Sequence, residues 1–342
     1  CPVVVSSNSS TPIADAGFSC AVTVNSGVTL TVSGSSNAVT ISGLGSNLTN
    51  NGTITMTGTG FGVASQGGSI SSITNTGTIS ALSGNGIRSS QVLTTINNSG
   101  SISSTGSHAI YSYWGSVTNL INTGSLSGGV GSSGIKLGGS SNSTITNFTN
   151  AGTMRGGSSG YGVYANPISG TIGTISKFNN SQGGNGASAA TTALTYYGKL
   201  PAYYNIIVKS PTQYGQLSVS TPSSTMTFGI YSGGSGVTDV AASILTAGTY
   251  TSVLTGISLS NLAGSRTGTY GAYNWSLNNV SGTTWDLVVT GGPSTSGSTS
   301  SSITSSTVSN VTSGTAIGMS SIGVTANPVL AGGTIVLSKG ER

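Results

Sequence analysis

Short apolar blocks separated by corners rich in Gly, Ser and Asn recur along residues 25–190 with a period of about 25 residues. Each unit has three blocks: one directly after an Asn-x-Gly triplet, as at Ile54, a second a few residues further on, as at Val63, and a pair before the next Asn, as at Ile70 and Ile73. One such coil cannot bury its own apolar side chains, whereas coils stacked at the strand spacing of about 4.8 Å bury all three inward rows. The pattern therefore predicts a three-sided parallel β-solenoid.

An Asn begins the corner triplet of each of six units. Stacked in register, these side-chain amides can hydrogen-bond from coil to coil as an internal ladder, and we expect the Gly two residues later to adopt the left-handed backbone of the corner. A stripe of amides that binds a ligand is the alternative, and we predict the structural ladder. Its expected members are Asn25, Asn50, Asn75, Asn98, Asn122 and Asn150.

The character of the chain changes near residue 191. Nine of the 13 Tyr lie in residues 191–290, within runs that alternate at period two between Gly, Pro, Asn and Ser clusters. These runs predict a compact antiparallel β-sandwich-like module. We place an N-terminal cap at 1–24, a Ser/Thr/Gly linker at 291–314 and a C-terminal strand segment at 315–342, which is a candidate for pairing with a neighbouring molecule. The predicted fold class is all-β, a parallel solenoid followed by this module.

Two features of the sequence resemble a known family. The string Leu194-Thr-Tyr-Tyr-Gly-Lys-Leu-Pro201 and the run Thr227-Phe-Gly-Ile-Tyr-Ser-Gly233, together with the upstream Asn-x-Gly-Thr-Ile repeats, are similar to autotransporter-like repeat proteins of proteobacteria. The resemblance covers roughly residues 25–290. It implies type V secretion across the outer membrane, a right-handed parallel β-helix passenger, and a role in adhesion or in a surface coat. The last residues show no translocator-like strands, so we expect a passenger separated from its translocator, or a fragment.

Charged residues are scarce, with nine Lys plus Arg, four Asp plus Glu and one His in 342 residues. Acid–base catalysis and divalent-metal binding depend on carboxylates and imidazoles, and no Asp or Glu occurs between Asp15 and Asp239. We therefore predict that the protein is not an enzyme and takes no metal and no cofactor. The cations form no run, which argues against nucleic-acid binding. The sequence contains no stretch of 18 apolar residues, so we predict no transmembrane helix.

Both cysteines lie near the N-terminus, at Cys1 and Cys20. We predict that they form a disulfide, which indicates an oxidising compartment and agrees with an extracellular or cell-surface location. Two unpaired thiols, or a lipid-bearing Cys1 as in bacterial lipoproteins, are the alternatives.

We predict a secreted bacterial surface structural protein whose main partner is itself, because a rod with so little charge has little repulsion to oppose assembly. The alternative is an adhesin that binds glycans or cell surfaces through aromatic side chains at a variable corner of the solenoid. Such rings can stack on sugars, although they can equally cover the side of the rod or pack against a neighbour. The candidate binding residues are Tyr111, Tyr113, Trp114, Tyr161 and Tyr164.

Overall fold

The computed structural model describes residues 1–292, except for Ala16, Ser140 and residues 235–239. It is all-β, a parallel β-solenoid of about nine turns with about 25 residues per coil and with antiparallel strands at its C-terminal end. The predicted fold class is therefore confirmed. The predicted segment 315–342 and nearly all of the predicted linker lie outside the described residues.

Successive coils add strands to three sheets. Sheet A contains β1 (Val3–Val5), β3 (Ala21–Val24), β6 (Asn47–Asn50), β9 (Ile70–Asn75), β12 (Leu93–Asn98), β15 (Ser116–Asn122), β18 (Ser143–Asn150), β21 (Gly173–Asn180), β23 (Tyr203–Ile206), β27 (Met226–Ile230) and β29 (Leu262–Ala263). Sheet B contains β4 (Thr29–Val32), β7 (Thr53–Met56), β10 (Thr78–Ala81), β13 (Ser101–Ser104), β16 (Ser125–Ser127) and β19 (Thr153–Arg155).

Sheet C is the longest of the three. It contains β2 (Ile13–Ala14), β5 (Val39–Ile41), β8 (Val63–Ser65), β11 (Ile87–Ser89), β14 (Ile110–Ser112), β17 (Ile135–Leu137), β20 (Val163–Ala165), β22 (Leu194–Lys199), β26 (Leu217–Ser223), β28 (Gly248–Thr255), β32 (Thr284–Gly291), β31 (Tyr273–Ser281) and β30 (Thr267–Tyr270). The remaining elements are the hairpin of β24 (Val208–Ser210) and β25 (Gln213–Tyr214) and two 3-10 turns, Ala189–Thr191 and Leu259–Asn261.

The core consists of inward side chains that stack in register along the axis of the solenoid. In sheet A one such row changes from aliphatic to aromatic along the chain, and the rings of Phe148 and Phe178 stack with centroids 4.4 Å apart. Every member of the row is buried, so each coil covers the apolar side chain of the next. The row is Val22, Leu48, Ile73, Ile96, Leu120, Phe148, Phe178, Tyr204 and Phe228.

The structure differs from the predicted start of the antiparallel module at residue 191. Strands β22, β23, β26 and β27 pair in parallel with the coils on either side, for example Phe178 with Tyr204 and Tyr204 with Phe228. Antiparallel pairing within sheet C begins only at β28 and continues through β30–β32. A solenoid strand with one buried face alternates at period two just as an antiparallel strand does, so the pattern alone does not separate the two.

The N-terminal segment also belongs to the coils rather than to a separate cap. Strand β1 pairs in parallel with β3, and β2 pairs in parallel with β5. A disulfide joins Cys1 to Cys20, as predicted. These cysteines lie just before the paired strands β1 and β3, so the disulfide links the two strands covalently.

A ladder of buried asparagine amides runs along the corner between sheets A and B. Each side-chain Nδ2 donates to the Oδ1 of the next, with distances of 2.7 Å from Asn50 to Asn75 and 2.8 Å from Asn75 to Asn98. The ladder goes on through Asn122 and Asn150 to Asn180 at 2.8–2.9 Å. Asn75 also donates to the backbone oxygens of Gly77 and Ser101, and the other amides make similar bonds except Asn150, whose second acceptor is the side-chain oxygen of Gln182.

Asn25 is not a member of this ladder, contrary to the prediction. Val24 occupies the register position below Asn50, because the first corner needs four residues between Val24 and Thr29 where the second needs only two. The Oδ1 of Asn50, at the end of the ladder, is consequently buried without a hydrogen-bond partner among the described residues.

The corner glycines serve a different purpose from the one expected. Gly27 has a positive φ of 77°, but Gly100 and its counterparts in the later coils do not. Instead, a Cβ on Gly100 would overlap the carbonyl oxygen of Gly77 in the coil below. Close stacking of successive corners, and not a left-handed backbone, therefore requires glycine there.

Sheet B stops after β19 because a side chain replaces the next strand. The amide of Gln182 accepts from the backbone N–H of Met154 at 2.7 Å and donates to its carbonyl oxygen at 3.0 Å. Gln182 is buried, so its side chain satisfies backbone groups that would otherwise have no strand to pair with.

Candidate functional site

The outward side of sheet C carries aromatic and cationic side chains in a row along the axis. In β14 the side chains of Ile110 and Ser112 are buried while Tyr111 between them points outward, and the same alternation in neighbouring strands places the equivalent residues above and below it. The register row is Arg88, Tyr111, Lys136, Tyr164 and Tyr197. Phe61, His108, Tyr113, Trp114 and Tyr161 flank this row, and we call all ten residues the cation–aromatic face.

The two cations of the face lie against aromatic rings. The Nζ of Lys136 is 5.2 Å from the ring centroid of Tyr111 and 5.5 Å from that of Tyr164, in the coils on either side. The guanidinium of Arg88 lies 4.2 Å from the ring centroid of Tyr113 and 4.9 Å from that of Phe61. These distances are within the range of cation–π attraction, so the rings hold both cations in place.

The aromatic residues also contact one another. Tyr164 and Tyr197 stack with centroids 4.7 Å apart and an interplanar angle of 11°, and Tyr161 lies 5.1 Å from Tyr197. Burial, followed by the neighbouring Tyr197 and Tyr161 phenols, raises the pKa of Tyr164. Tyr111 makes an edge contact with Tyr113 at 5.3 Å. The face is therefore a packed layer rather than a set of independent side chains.

Trp114 marks one edge of the face. Its indole is 56% exposed and stacks on Tyr113 at 5.6 Å with an interplanar angle of 17°. Beside it lies an open groove of about 410 Å³, whose other walls are mostly hydroxyl and amide side chains and backbone. The lining residues are Ser90, Gln91, Val92, Gly115, Ser116 and Ser141 to Thr144. A supported, exposed indole above such a groove is suited to stacking on a sugar ring.

His108 lies at the opposite edge of the face, with its ring 5.5 Å from that of Tyr111. Its Nδ1 accepts a hydrogen bond of 2.9 Å from the backbone N–H of Ser133. Burial, and then the positive charge of Lys136, lower the pKa of His108 to about 4. The imidazole is therefore neutral at neutral pH.

Carboxylates within the described part of the chain are engaged elsewhere. Asp15 is buried and accepts hydrogen bonds from the backbone N–H groups of Ser42 and Gly43. Asp286 accepts one from the backbone N–H of Ser252 at 2.7 Å. Neither Arg88 nor Lys136 therefore has a described carboxylate as a partner.

The comparisons with known proteins identify no relative: no protein-family model, curated protein or solved structure matches this chain. Among the residues that the structure describes, no three His, Cys, Asp or Glu side chains form a group suited to a metal ion. No helix in that part of the chain has the length and hydropathy needed to cross a membrane.

The five aromatic residues predicted as a binding site all lie on this face. They do not share one corner of the solenoid, contrary to the prediction, but are divided between a strand row and two corners. Tyr111 and Tyr164 share one register row, with Lys136 between them. Tyr161 corresponds to His108 in the repeat and lies at the corner between sheets B and C, whereas Trp114 lies at the corner between sheets C and A.

The sequence reasoning missed Phe61, Arg88, Lys136 and Tyr197. The sequence did contain a signal for three of them. Arg88, Lys136 and Tyr197 each directly follow a buried, inward-facing residue of a sheet C strand, as Tyr111 follows Ile110. Aligning the repeats on that buried residue places Arg88, Lys136 and Tyr197 in one outward row with Tyr111, whereas Phe61 lies outside that row.

Proposed function

We propose that this chain is a structural protein of a bacterial cell surface that self-associates, edge to edge, into an extracellular fibre or layer. A β-solenoid fold fits a surface structural or adhesin-like role. The proposal rests on three edge strands without a charged side chain: β1 and β2 at the N-terminal end of the described solenoid, and β30 at the other end of sheet C.

The N-terminal end presents β1 at the edge of sheet A and β2 at the edge of sheet C. Residues 1–14 contain no ionisable side chain, and Val4 in β1 is 54% exposed. Pro2 and Pro12 precede these strands and do not interrupt them. Natural proteins usually protect sheet edges with charged residues, proline or bulges, because an unpaired edge recruits strands from other molecules.

The C-terminal end of the described part resembles the N-terminal end in this respect. Strand β30 is the last strand of sheet C, has β31 as its one partner among the described residues, and consists of Thr, Gly, Thr and Tyr. Its other side offers backbone groups to another strand, and the nearest charge is that of Arg266, which directly precedes the strand. Edges of this kind at both ends favour growth by addition of further copies.

Two further features support the surface location that we propose. The Cys1–Cys20 disulfide is of a kind that persists in oxidising compartments. The outward side chains of the coils are mainly Ser, Thr and Asn, so neutral hydroxyl and amide groups supply solubility with little charge repulsion between copies. The proposal assigns no catalytic activity to the chain.

Electron microscopy of the purified protein tests this proposal, with fibres or sheets as the expected result. The variant Val4→Lys adds a charge to the edge strand β1, and we expect assemblies that are shorter or absent. The control Val130→Lys makes the same change at a residue that is 76% exposed on a lateral corner, and we expect no effect. A wild-type protein that stays monomeric at high concentration would contradict the proposal, as would equal effects of the two variants.

Adhesion to glycans is a second candidate function. The specific observation in its favour is the exposed Trp114 indole, held by Tyr113 above a groove lined with hydroxyl and amide groups. Aromatic side chains with exposed faces are common contacts for sugars because the C–H groups of a pyranose pack on the ring.

A further inference from the structure

We propose that the cation–aromatic face binds an extended acidic polysaccharide in which carboxylate-bearing sugars alternate with neutral ones. This inference rests on adhesion, the second candidate function, and supplies its ligand class. It is independent of self-association, since the face lies along the side of the solenoid and the proposed assembly contacts lie at its ends.

The spacing of the face along the axis carries the argument. Arg88 and Lys136 occupy the same outward register position two coils apart, with Tyr111 in the coil between them. Their backbone positions are therefore separated by two strand spacings, roughly 10 Å. A pyranose unit in an extended chain is about as long as one strand spacing. A polysaccharide lying along the axis would thus meet the two cations two sugars apart, with an aromatic ring at the sugar between them.

The row continues with aromatic residues beyond Lys136. Tyr164 follows in the next coil and Tyr197 in the one after it, each at the same register position. Both tyrosines are partly exposed, and their mutual stacking fixes the orientation of their rings. The face is thus long enough for about five consecutive sugars, one for each coil from Arg88 to Tyr197.

The charge of the face favours an anionic ligand. Among the described residues no carboxylate pairs with Arg88 or Lys136, because Asp15 and Asp286 both accept from backbone N–H groups. Aromatic rings hold the two cations in position without neutralising them. A carboxylate that reaches either cation would form a charge-assisted hydrogen bond with little reorganisation of the protein.

The same observations disfavour the other occupants. A single-stranded nucleic acid carries a phosphate on every nucleotide, and two cations over five coils would leave most of them unpaired. A second copy of this chain offers no free carboxylate within the part that the structure describes. A neutral glycan would use the rings but gain nothing from the cations.

Isothermal titration calorimetry on the monomeric fraction of the full chain tests the inference. The titrants are hyaluronan fragments, in which glucuronate alternates with N-acetylglucosamine, and the neutral glucan cellohexaose. We expect binding of hyaluronan that weakens with added salt, and at least tenfold weaker binding of the neutral glucan. Equal affinities for the two would overturn the acidic ligand class while leaving adhesion standing.

Variants with matched charge test the location of the site. We expect the double variant Arg88→Gln, Lys136→Gln to lose at least tenfold in affinity for hyaluronan. The control Arg155→Gln, Arg266→Gln removes the same charge from exposed residues outside the face, and we expect a change below twofold. Equal losses in the two double variants would show non-specific attraction and overturn the inference.

Two further measurements keep the test decisive. The thermal midpoint, followed by circular dichroism, shows whether each variant folds; if the first double variant does not, Lys136→Gln alone is expected to weaken binding at least threefold. Poly-deoxythymidine serves as a polyanion without uronate. Binding of poly-deoxythymidine as tight as that of hyaluronan, and equally sensitive to Arg88→Gln and Lys136→Gln, would overturn the proposed ligand class. Assembly seen by electron microscopy is unaffected by any of these results, so the two proposals fail separately.

Discussion

The asparagine ladder predicts that two members of the same sequence repeat differ sharply in their importance for stability. Asn98 lies inside the ladder, accepts from Asn75 at 2.8 Å and donates to Asn122 at 2.8 Å. Asn25 occupies the same place in the repeat sequence but lies outside the ladder. We therefore expect Asn98→Ala to destabilise the protein strongly and Asn25→Ala to have little effect.

The magnitude follows from the hydrogen bonds that are lost. Asn98→Ala removes both ladder bonds and the weaker bonds to the carbonyl oxygens of Gly100 and Ser125, and it leaves the Oδ1 of Asn122 buried without its side-chain donor. About 1 kcal/mol for each of the two ladder bonds, together with about 1–3 kcal/mol for an unsatisfied buried group, gives a loss of about 3–5 kcal/mol, to which the weaker bonds add little. Asn25 is only partly buried and lies outside the ladder, so we expect Asn25→Ala to cost about 0.5 kcal/mol or less.

Urea denaturation followed by circular dichroism and by Trp fluorescence measures both variants. Coincident transitions from the two probes are needed before a free energy is quoted, because stacked repeats can unfold in parts. Hydrogen exchange of the amides in the coils next to residue 98 then shows whether the loss is local. Losses for Asn98→Ala and Asn25→Ala that agree within about 0.5 kcal/mol would refute the reasoning.

A third variant separates hydrogen bonding from packing. Asn98→Asp keeps the size of the side chain and can still accept from Asn75, but an ionised carboxylate cannot donate to the Oδ1 of Asn122. Burial and the facing oxygen would raise the pKa of the new carboxyl group, so the deficit should be largest at neutral pH and shrink as the pH falls and the group becomes protonated. A deficit independent of pH would contradict the ladder as its cause.

Two further predictions concern other buried groups. The folded-state pKa of His108 is lowered to about 4 from 6.5, so the stability that its neutral form contributes is complete above pH 6.5 and is lost as the pH falls towards 4. We expect the free energy of unfolding of the wild type to fall by up to about 3 kcal/mol over this window. Denaturation at several pH values should show no such fall for His108→Gln. Gln182→Glu keeps an acceptor for the N–H of Met154 but replaces the donor to the Met154 carbonyl oxygen with a second oxygen. We expect the free energy of unfolding in urea to fall by about 2–4 kcal/mol, and almost not at all for the exposed control Gln66→Glu. A pH slope that survives in His108→Gln, or equal losses in the two glutamates, would count against these assignments.

Much of the solenoid was predictable because its repeat fixes both the strands and their register. The apolar residues at Ile54, Ile79 and Ile102 recur at a constant offset from the corner Asn, and the structure stacks them directly on one another in sheet B. The period of about 25 residues leaves room for three strands and three corners, so the fold class follows from counting. Asn25 was misassigned because sequence similarity at the corner does not reveal that its corner is two residues longer.

The aromatic residues of the candidate site were visible in the sequence, but their arrangement was not. Tyr111, Tyr113 and Trp114 are neighbours in the chain, so a cluster was predictable. Their contacts with Arg88 and Lys136 join residues 23–25 positions apart. Such contacts depend on the length of each intervening coil, which varies with the corner loops.

The sequence by itself determined the architecture of this protein, since a repeat of apolar blocks with Asn-x-Gly corners can bury its side chains only by stacking. Tertiary structure alone decided where the parallel coils give way to antiparallel strands, because both kinds of strand alternate at period two. It also decided which amides join the ladder and which cations lie between aromatic rings. Those outcomes depend on register, and a difference of one or two residues in a single corner changes which side chain meets which.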